Sequence, residues 1–265
     1  YGGGMVREYI RLSRPINALA GCVAVILSGY VAKTTSWTQV ILAAISVFLI
    51  TASTNAWNDY IDIEIDRINK PERPLPAGTI KPRGALVFST TVSALSIFTA
   101  LFINLAGFLI VLGVNVLLYL YSWKLKCTVL LGNATVAAVV ALCFIFGGIA
   151  AGSIPPILML SVTAFFYLFG SEIIKDISDY KGDLKQNCRT IATVLGKKYA
   201  SIFVMFFFVI TALLMIATYF HEQYHPIYLL LVLFFMIPLL VYISLNTNEN
   251  TTSQQLERFW LLIRY

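Results

Sequence analysis

Charge is scarce in this chain: Asp, Glu, Lys and Arg make up 12% of its 265 residues. A soluble globular domain carries about 25%, so an ordinary water-facing surface is excluded. Cysteine occurs four times, with no Cys-x-x-Cys pair, and histidine twice. That excludes a disulfide scaffold and argues against a cysteine metal site. Glycine and proline, 16 and 9 in number, are too few and too irregular for a collagen-like repeat. Disorder fails on the opposite count, because 58% of the chain is hydrophobic and the mean hydropathy is +0.80. What remains is an all-α, polytopic membrane bundle.

A helix needs about 20 apolar residues to cross the bilayer. Such runs lie near 16–32, 37–57, 84–103, 105–122, 129–151, 154–171, 199–220 and 226–245. A ninth starts near Ser253 with too few residues left to cross, so nine transmembrane helices are expected, the last incomplete. Tyr1-Gly2-Gly3-Gly4 ahead of Met5 reads as a remnant foreign to the fold, leaving 5–265 as a single transmembrane domain. The first run follows Arg7, Arg11 and Arg14 and lacks a small-residue cleavage pattern, so no cleavable signal peptide is expected.

Loop charge orients the chain. Placing the N-terminus and the loops after the second, fourth, sixth and eighth runs on one face puts there all 19 basic residues except Lys33 and Arg264. The positive-inside rule makes that face cytoplasmic, with the chain in the cell membrane. The same bias accounts for the net charge of +6. No nucleic-acid partner is needed, since no basic stretch interleaves with aromatics. No obligatory protein partner is indicated either.

Acidic residues concentrate on the same face, Glu222 being the exception among 13. One stretch, Asn55-Ala-Trp-Asn58-Asp59-Tyr-Ile-Asp62-Ile-Glu64-Ile-Asp66-Arg67, continues the second run. Another, Glu172-Ile-Ile-Lys175-Asp176-Ile-Ser-Asp179-Tyr-Lys-Gly-Asp183, leaves the sixth. Asp62 and Asp179 lie 117 residues apart, one in each successive set of four runs. That suggests a duplication into two similar four-helix halves. Asn58, Asp62 and Asp66 follow i, i+4 and i+8, each about one turn above the last. Glu172, Asp176, Asp179 and Asp183 share one stripe in the same way, unless Gly182 ends the helix before Asp183. Like charges stacked on one face repel, so a cation should compensate them.

Most charge runs are solvated loops. These keep a helical period, continue straight out of membrane helices, and occur twice on one face. Oxygen ligands of this kind suit Mg²⁺, which is typically bound by one or two carboxylates plus substrate phosphates. Arg67, Lys70, Arg73, Lys175, Lys181 and Arg189 stand near enough in sequence to meet free phosphate oxygens. Together the two residue types describe a diphosphate site.

The first stretch, followed by Arg73-Pro74-Leu75-Pro76-Ala77-Gly78, resembles the first signature of the UbiA-type intramembrane prenyltransferases. The second, with Arg189-Thr190 and Leu195-Gly196 downstream, resembles their second signature. Arg14-Pro15 and Gly132-Asn133 also resemble family positions. Among the branches, Arg14-Pro15-x-Asn17, Glu172-Ile-Ile-Lys175-Asp176-Ile and Tyr121-Ser-Trp-Lys124-Leu-Lys126 look most like the archaeal branch that forms digeranylgeranylglyceryl phosphate. Members acting on aromatic acids often carry Arg after the middle carboxylate, where this chain has Ile63. Their Tyr-x-x-x-Lys spacing is not matched either, since Lys follows Tyr121 at +3 and +5.

The resemblance implies Mg²⁺, two ions, binding the diphosphate of an isoprenyl donor. The metal ligands implied are Asn58, Asp62, Asp66, Asp176, Asp179 and Asp183, with Asn58, Asp62, Asp179 and Asp183 nearest. Asp62, Asp66 and Asp183 would take direct part in catalysis, Asp66 as the base for the acceptor hydroxyl. Substrate binding would fall to Arg14, Asn17, Asn55, Arg67, Lys70, Arg73, Tyr121, Lys124, Lys126, Glu172, Lys175 and Arg189. The reaction implied is transfer of a geranylgeranyl group from geranylgeranyl diphosphate to the hydroxyl of a lipid-like acceptor, geranylgeranylglyceryl phosphate, in archaeal ether-lipid synthesis. Aromatic side chains would shelter the allylic cation.

Transfer to an aromatic acid such as 4-hydroxybenzoate is the alternative within the family. A secondary transporter would carry charges near the bilayer midplane, where these spans have none. A CDP-alcohol phosphotransferase would need an Asp-Gly-x-x-Ala-Arg element, which is absent. Of the remaining residues, Cys22, Cys127, Cys143 and Cys188 are expected to stay thiols, the second and fourth on the reducing face. His221 and His225 read as loop positions, Gly113, Gly132 and Gly147-Gly148 as close helix packing, and Pro238 as a kink in the eighth run.

Overall fold

A computed structural model of the chain describes residues 2–264, and their regular elements are all helical. In chain order these are α1 (Gly2–Ser13), α2 (Pro15–Val31), α3 (Trp37–Ile61), α4 (Ile63–Asn69), α5 (Pro82–Ala100) and α6 (Leu105–Leu120). A π turn at Tyr121–Leu125 precedes α7 (Leu131–Ala151), α8 (Pro155–Lys185), α9 (Ile191–Leu195) and α10 (Lys197–Glu222). The chain continues through α11 (Pro226–Leu231), a π turn at Val232–Met236, α12 (Ile237–Asn246) and α13 (Ser253–Arg264). Seven helical stretches among the described residues are long and apolar enough to cross a membrane, or eight if α1 and α2 make one bent span. The second to eighth expected runs each fall in one of the seven. Large apolar side chains such as Phe206, Val209, Leu213 and Phe220 stand exposed along α10. In water such a surface would aggregate; in a membrane it faces lipid.

Several local breaks follow from individual residues. Proline disfavours a helical conformation in the residue before it and suits the first helical position itself. Arg14 accordingly takes a left-handed φ of 49° before Pro15, and α1 meets α2 at 50°. The π turn Val232–Met236 ends just before Pro238, where the missing N–H interrupts the ordinary ladder. Residues after Ser253 form the 12-residue α13, which is not among the spanning helices.

Two compact units divide the chain, and the boundary departs from the expected halves. The first holds everything up to Trp123 together with Cys143–Ile157; the second holds Lys124–Leu142 and everything from Leu158 onward. The fifth span is therefore shared between them instead of opening a second half.

In the first unit Val25, Val40, Ala43, Val47, Ile50, Ala100, Val111 and Phe146 form the apolar core. Hydroxyl pairs bind the helices where the hydrophobic effect offers lipid-embedded segments little. Ser46 meets Thr99 at 2.7 Å, Ser89 meets Tyr119 at 2.6 Å, and Ser93 donates to Asn115 at 2.7 Å. Gly147 lets α7 lie against α2: a Cβ there would stand 2.7 Å from the Val25 carbonyl oxygen and the Ser28 Cβ. Gly113, expected to serve the same purpose, has nothing within 4 Å of such a Cβ.

In the second unit the core gathers Phe169, Ile173, Ile174 and Ile177 of α8 with Ile191, Val204, Phe208, Leu240 and Ile243. Leu256 and Phe259 of α13 join it, and Ser178 and Ser253 exchange hydroxyl-to-carbonyl hydrogen bonds. Gly132 packs close to the Leu125 carbonyl, 3.0 Å from where a Cβ would sit. One expectation is overturned here. Cys127 and Cys188, expected to be thiols, are joined in a disulfide with Cα atoms 4.6 Å apart; Cys22 and Cys143 remain thiols. Sequence spacing could not show this, because the partners are 61 residues apart and only the fold brings their loops together.

Gly147→Ala is expected to destabilise the protein by about 1–3 kcal/mol through overpacking, with Gly113→Ala as the neutral control. Thermal unfolding in detergent would show the first variant melting lower and the second unchanged or slightly higher, since Ala is the better helix former where nothing crowds its Cβ.

Candidate active site

The first acidic stretch lies at the junction of α3 and α4. The helix is interrupted at Asp62, yet the ladder runs through the break. Asp62 N–H donates to the Asn58 carbonyl at 2.9 Å, and Asp66 N–H to the Asp62 carbonyl at 2.8 Å. The i, i+4, i+8 order of the three side chains therefore survives. The Asn58 amide nitrogen donates to an Asp62 carboxylate oxygen at 2.9 Å, which orients the Asn58 carbonyl oxygen as a hard donor. Asp62 and Asp66 are buried, at 6% and 5% exposure.

Compensating cations arrive from two places in the chain. Arg14, at the α1–α2 bend, donates to Asp59. Arg73 lies in the loop after α4 that Pro71, Pro74 and Pro76 keep from becoming helix, and bridges Asp59, at 3.2 Å, and Asp66. Asp59 is only 2% exposed, so both guanidinium partners matter to it. Asp59 lies off the i, i+4 stripe, so helical period alone does not single it out. The signal was a carboxylate among Ala56, Trp57 and Tyr60 at the end of a span, where an unpaired charge is not tolerated.

Other expected residues take local roles. Asn55 donates to the Ser13 carbonyl at 3.0 Å, tying the end of α1 to α3. Arg67 turns to Glu64 at 2.9 Å in an exposed pair on α4 and does not join the Asp59 network. Asn17 lies one turn into α2, its N–H donating to the Arg14 carbonyl at 3.0 Å. Lys70 caps α4, and Tyr121 opens the first π turn.

The second stretch rides on α8. At 31 residues this helix is about 46 Å long against a hydrocarbon core of about 30 Å, so its last turns extend beyond the span. Gly182 does not end it; the helix runs to Lys185, which keeps Glu172, Asp176, Asp179 and Asp183 on one stripe. Ile173, Ile174 and Ile177 are fully buried between them, so packing fixes the helix while leaving the carboxylates toward the other side.

Each of these carboxylates is met differently. Asp176 accepts from the Asn133 amide of α7 at 2.8 Å. Glu172 pairs with Lys175 at 3.7 Å, whose ammonium also sits 5.9 Å over the Trp260 ring. Asp183 lies within reach of Lys126, Lys175 and the Thr190 hydroxyl, while Asp179 is exposed. The Asp183 carbonyl closes the helix end by accepting from the Cys188 N–H at 2.9 Å. Lys124 and Arg189 are exposed beside the same loops. Asn133 was noted in the sequence only as a resemblance, and its bond to Asp176 gives it a physical place.

Among the described residues no three His, Cys, Asp or Glu side chains stand close enough to hold a metal ion by themselves. Mg²⁺ does not require such a cage, since it is usually held by one or two carboxylates with water and substrate phosphate completing the shell. Each acidic stretch offers hard oxygen donors of the kind that ion takes, the Asn58 amide and Asp62 carboxylate in the first and the Asp179 and Asp183 carboxylates in the second.

A family model described as the UbiA prenyltransferase family matches residues 18–263. The chain belongs to that family. It is a multi-pass membrane prenyltransferase. The digeranylgeranylglyceryl phosphate synthase of Methanosphaera stadtmanae is 33% identical to it over 253 residues, 96% of this chain and 92% of that protein. The synthase of the same name from Thermococcus gammatolerans is 40% identical over 210 residues, 78% and 76% of the two chains. A solved structure from a study of digeranylgeranylglyceryl phosphate synthase in membranes superposes with a TM-score of 0.79 at 29% identity, covering 98% of this chain and 94% of that one. A UbiA homologue from Archaeoglobus fulgidus, bound to GPP and Mg²⁺, shares the fold with a TM-score of 0.77 at 22% identity, covering 97% and 96%.

In this prenyltransferase Asp59→Asn should lower stability by about 3–5 kcal/mol, because Arg14 and Arg73 lose a buried counter-charge. Glu64→Gln, which breaks only an exposed pair, should shift it by about 0.5 kcal/mol or less. Melting curves of the two variants in one detergent would separate them; equal curves would deny the buried network its weight.

Proposed function

We propose that this prenyltransferase moves a geranylgeranyl group from geranylgeranyl diphosphate to the hydroxyl of geranylgeranylglyceryl phosphate. The observation that carries this reading is the 33–40% identity to digeranylgeranylglyceryl phosphate synthases across most of the chain. In the reaction the allylic C–O bond of the donor breaks, an ether C–O bond forms, the acceptor hydroxyl loses its proton and diphosphate leaves.

Asn58 and Asp62 in the first stretch and Asp179 and Asp183 in the second would hold two Mg²⁺ ions. Bound there, the ions would neutralise the charge that develops on the leaving diphosphate. Three other carboxylates are engaged by groups from outside the proposed ligand set, Asp66 by Arg73, Asp176 by Asn133 and Glu172 by Lys175. That supports a role in orienting the groups around the ligands. Asp66 is the carboxylate proposed to receive the hydroxyl proton. Lys126, near Asp183, would meet a phosphate oxygen from the second stretch, and Arg73 from the first. Arg14, Asn17, Lys70, Tyr121, Lys124 and Arg189 complete the proposed substrate-binding set. The site faces the cytoplasm of the cell membrane in this reading, as the charge bias of the loops supports.

The test is transfer in detergent with geranylgeranyl diphosphate and Mg²⁺, offering geranylgeranylglyceryl phosphate and 4-hydroxybenzoate separately. Doubly prenylated glyceryl phosphate is expected, abolished by EDTA and reduced at least about 100-fold by Asp62→Ala. Product with 4-hydroxybenzoate alone would keep the chemistry and overturn the acceptor.

A further inference from the structure

The loop after the first π turn and the loop after α8 carry the basic residues nearest the second acidic stretch. Lys124 and Lys126 lie on one, Arg189 on the other. A single covalent link joins them, Cys127 to Cys188. Each cysteine is adjacent to one of the bases, Cys127 to Lys126 and Cys188 to Arg189. Cys188 is also tied to the end of α8, its N–H donating to the Asp183 carbonyl at 2.9 Å. Lys126 in turn lies close enough for its charge to act on Asp183.

Val129 of the same loop packs on the apolar core of the second unit. Leu130 sits in a left-handed φ of 64°, and the segment between the π turn and α7 is held locally by turns such as Thr128 N–H to the Leu125 carbonyl at 3.1 Å. Lysine has a long, flexible stem, and fixing its loop removes part of the entropy its ammonium would lose on meeting a ligand.

We infer that the Cys127–Cys188 disulfide is a positioning element that keeps Lys126 beside Asp183, and so sets the affinity of the second stretch for the donor diphosphate. The inference rests on the reading of Asp183 and Lys126 as diphosphate-binding residues. Cys127 is exposed, so a dithiol can reach the bond: one S–S bond breaks, two S–H bonds form, and the dithiol is oxidised to its own disulfide. Bonds of this kind facing a reducing compartment are most often redox-responsive, hyperthermophile proteins being the exception. Opening it removes the link between the Lys126 loop and the end of α8 and so weakens diphosphate binding.

Thiol counting under denaturing conditions comes first, with two reactive thiols, Cys22 and Cys143, expected before reduction and four after. Binding of inorganic pyrophosphate with Mg²⁺ is then followed by calorimetry, which needs no turnover. Reduction of the wild type, or Cys188→Ser, should weaken pyrophosphate about threefold. Lys126→Gln should weaken it about tenfold, the scale of a lost charge-assisted bond. Reduction should add nothing to Lys126→Gln or to Cys188→Ser. In the transfer assay the same changes should raise the donor KM and leave kcat and the acceptor KM nearly unchanged. Four thiols without reduction, equal pyrophosphate affinity before and after reduction, or full additivity of Cys188→Ser with Lys126→Gln would each overturn the inference. Failure of the functional reading looks different: the transfer assay is silent while the thiol count and pyrophosphate results stand.

Discussion

A carboxylate at the end of a membrane span must be met by a donor or a cation, and that requirement organises each acidic stretch of this protein. Asp59, among aromatic and apolar neighbours at the end of α3, is where the demand is greatest. It draws Arg14 from the α1–α2 bend and Arg73 from the loop beyond α4. Both arginines are delivered by proline: Pro15 forces the bend that carries Arg14, and the prolines around Arg73 keep its loop out of helix. The ion pairs that make the site tolerable thus also fix three separate segments of the first unit.

The second stretch meets the requirement by other means. A neutral amide from Asn133 serves Asp176, a lysine one turn away serves Glu172, and Asp183 lies at the point where two loops are stapled by a disulfide. The Asn133 amide orients the Asp176 carboxylate and brings no charge of its own. That suits a residue whose neighbours are to hold a cation. Burying Ile173, Ile174 and Ile177 on the opposite side keeps α8 helical as far as Lys185, so the carboxylates keep their spacing where a frayed helix end would lose it.

Packing within the membrane part obeys a different rule from packing in water. Lipid is as apolar as the side chains, so α3, α5 and α6 are joined by Ser, Thr, Asn and Tyr hydrogen bonds and by close approach at small residues. This explains why the spans contain so many hydroxyls while containing almost no charge. It also explains why Gly147 and Gly113, alike in the sequence, differ in the structure: one lies in a helix contact and the other in open space.

The order of the spans, the two carboxylate stripes and the basic residues around them were legible from the sequence, because apolar run length and helical period are local properties. Glu172 to Asp183 stayed in register since nothing in α8 breaks a helix strongly enough to stop it. Asp59, Asn133 and the Cys127–Cys188 link were not legible, since each depends on a partner brought near only by folding. Local chemistry therefore determined where along the chain the carboxylates and bases are grouped. Tertiary structure alone decided which carboxylates are spent on arginine and amide partners and which cysteines meet, because burial and pairing are properties of neighbours far apart in the chain.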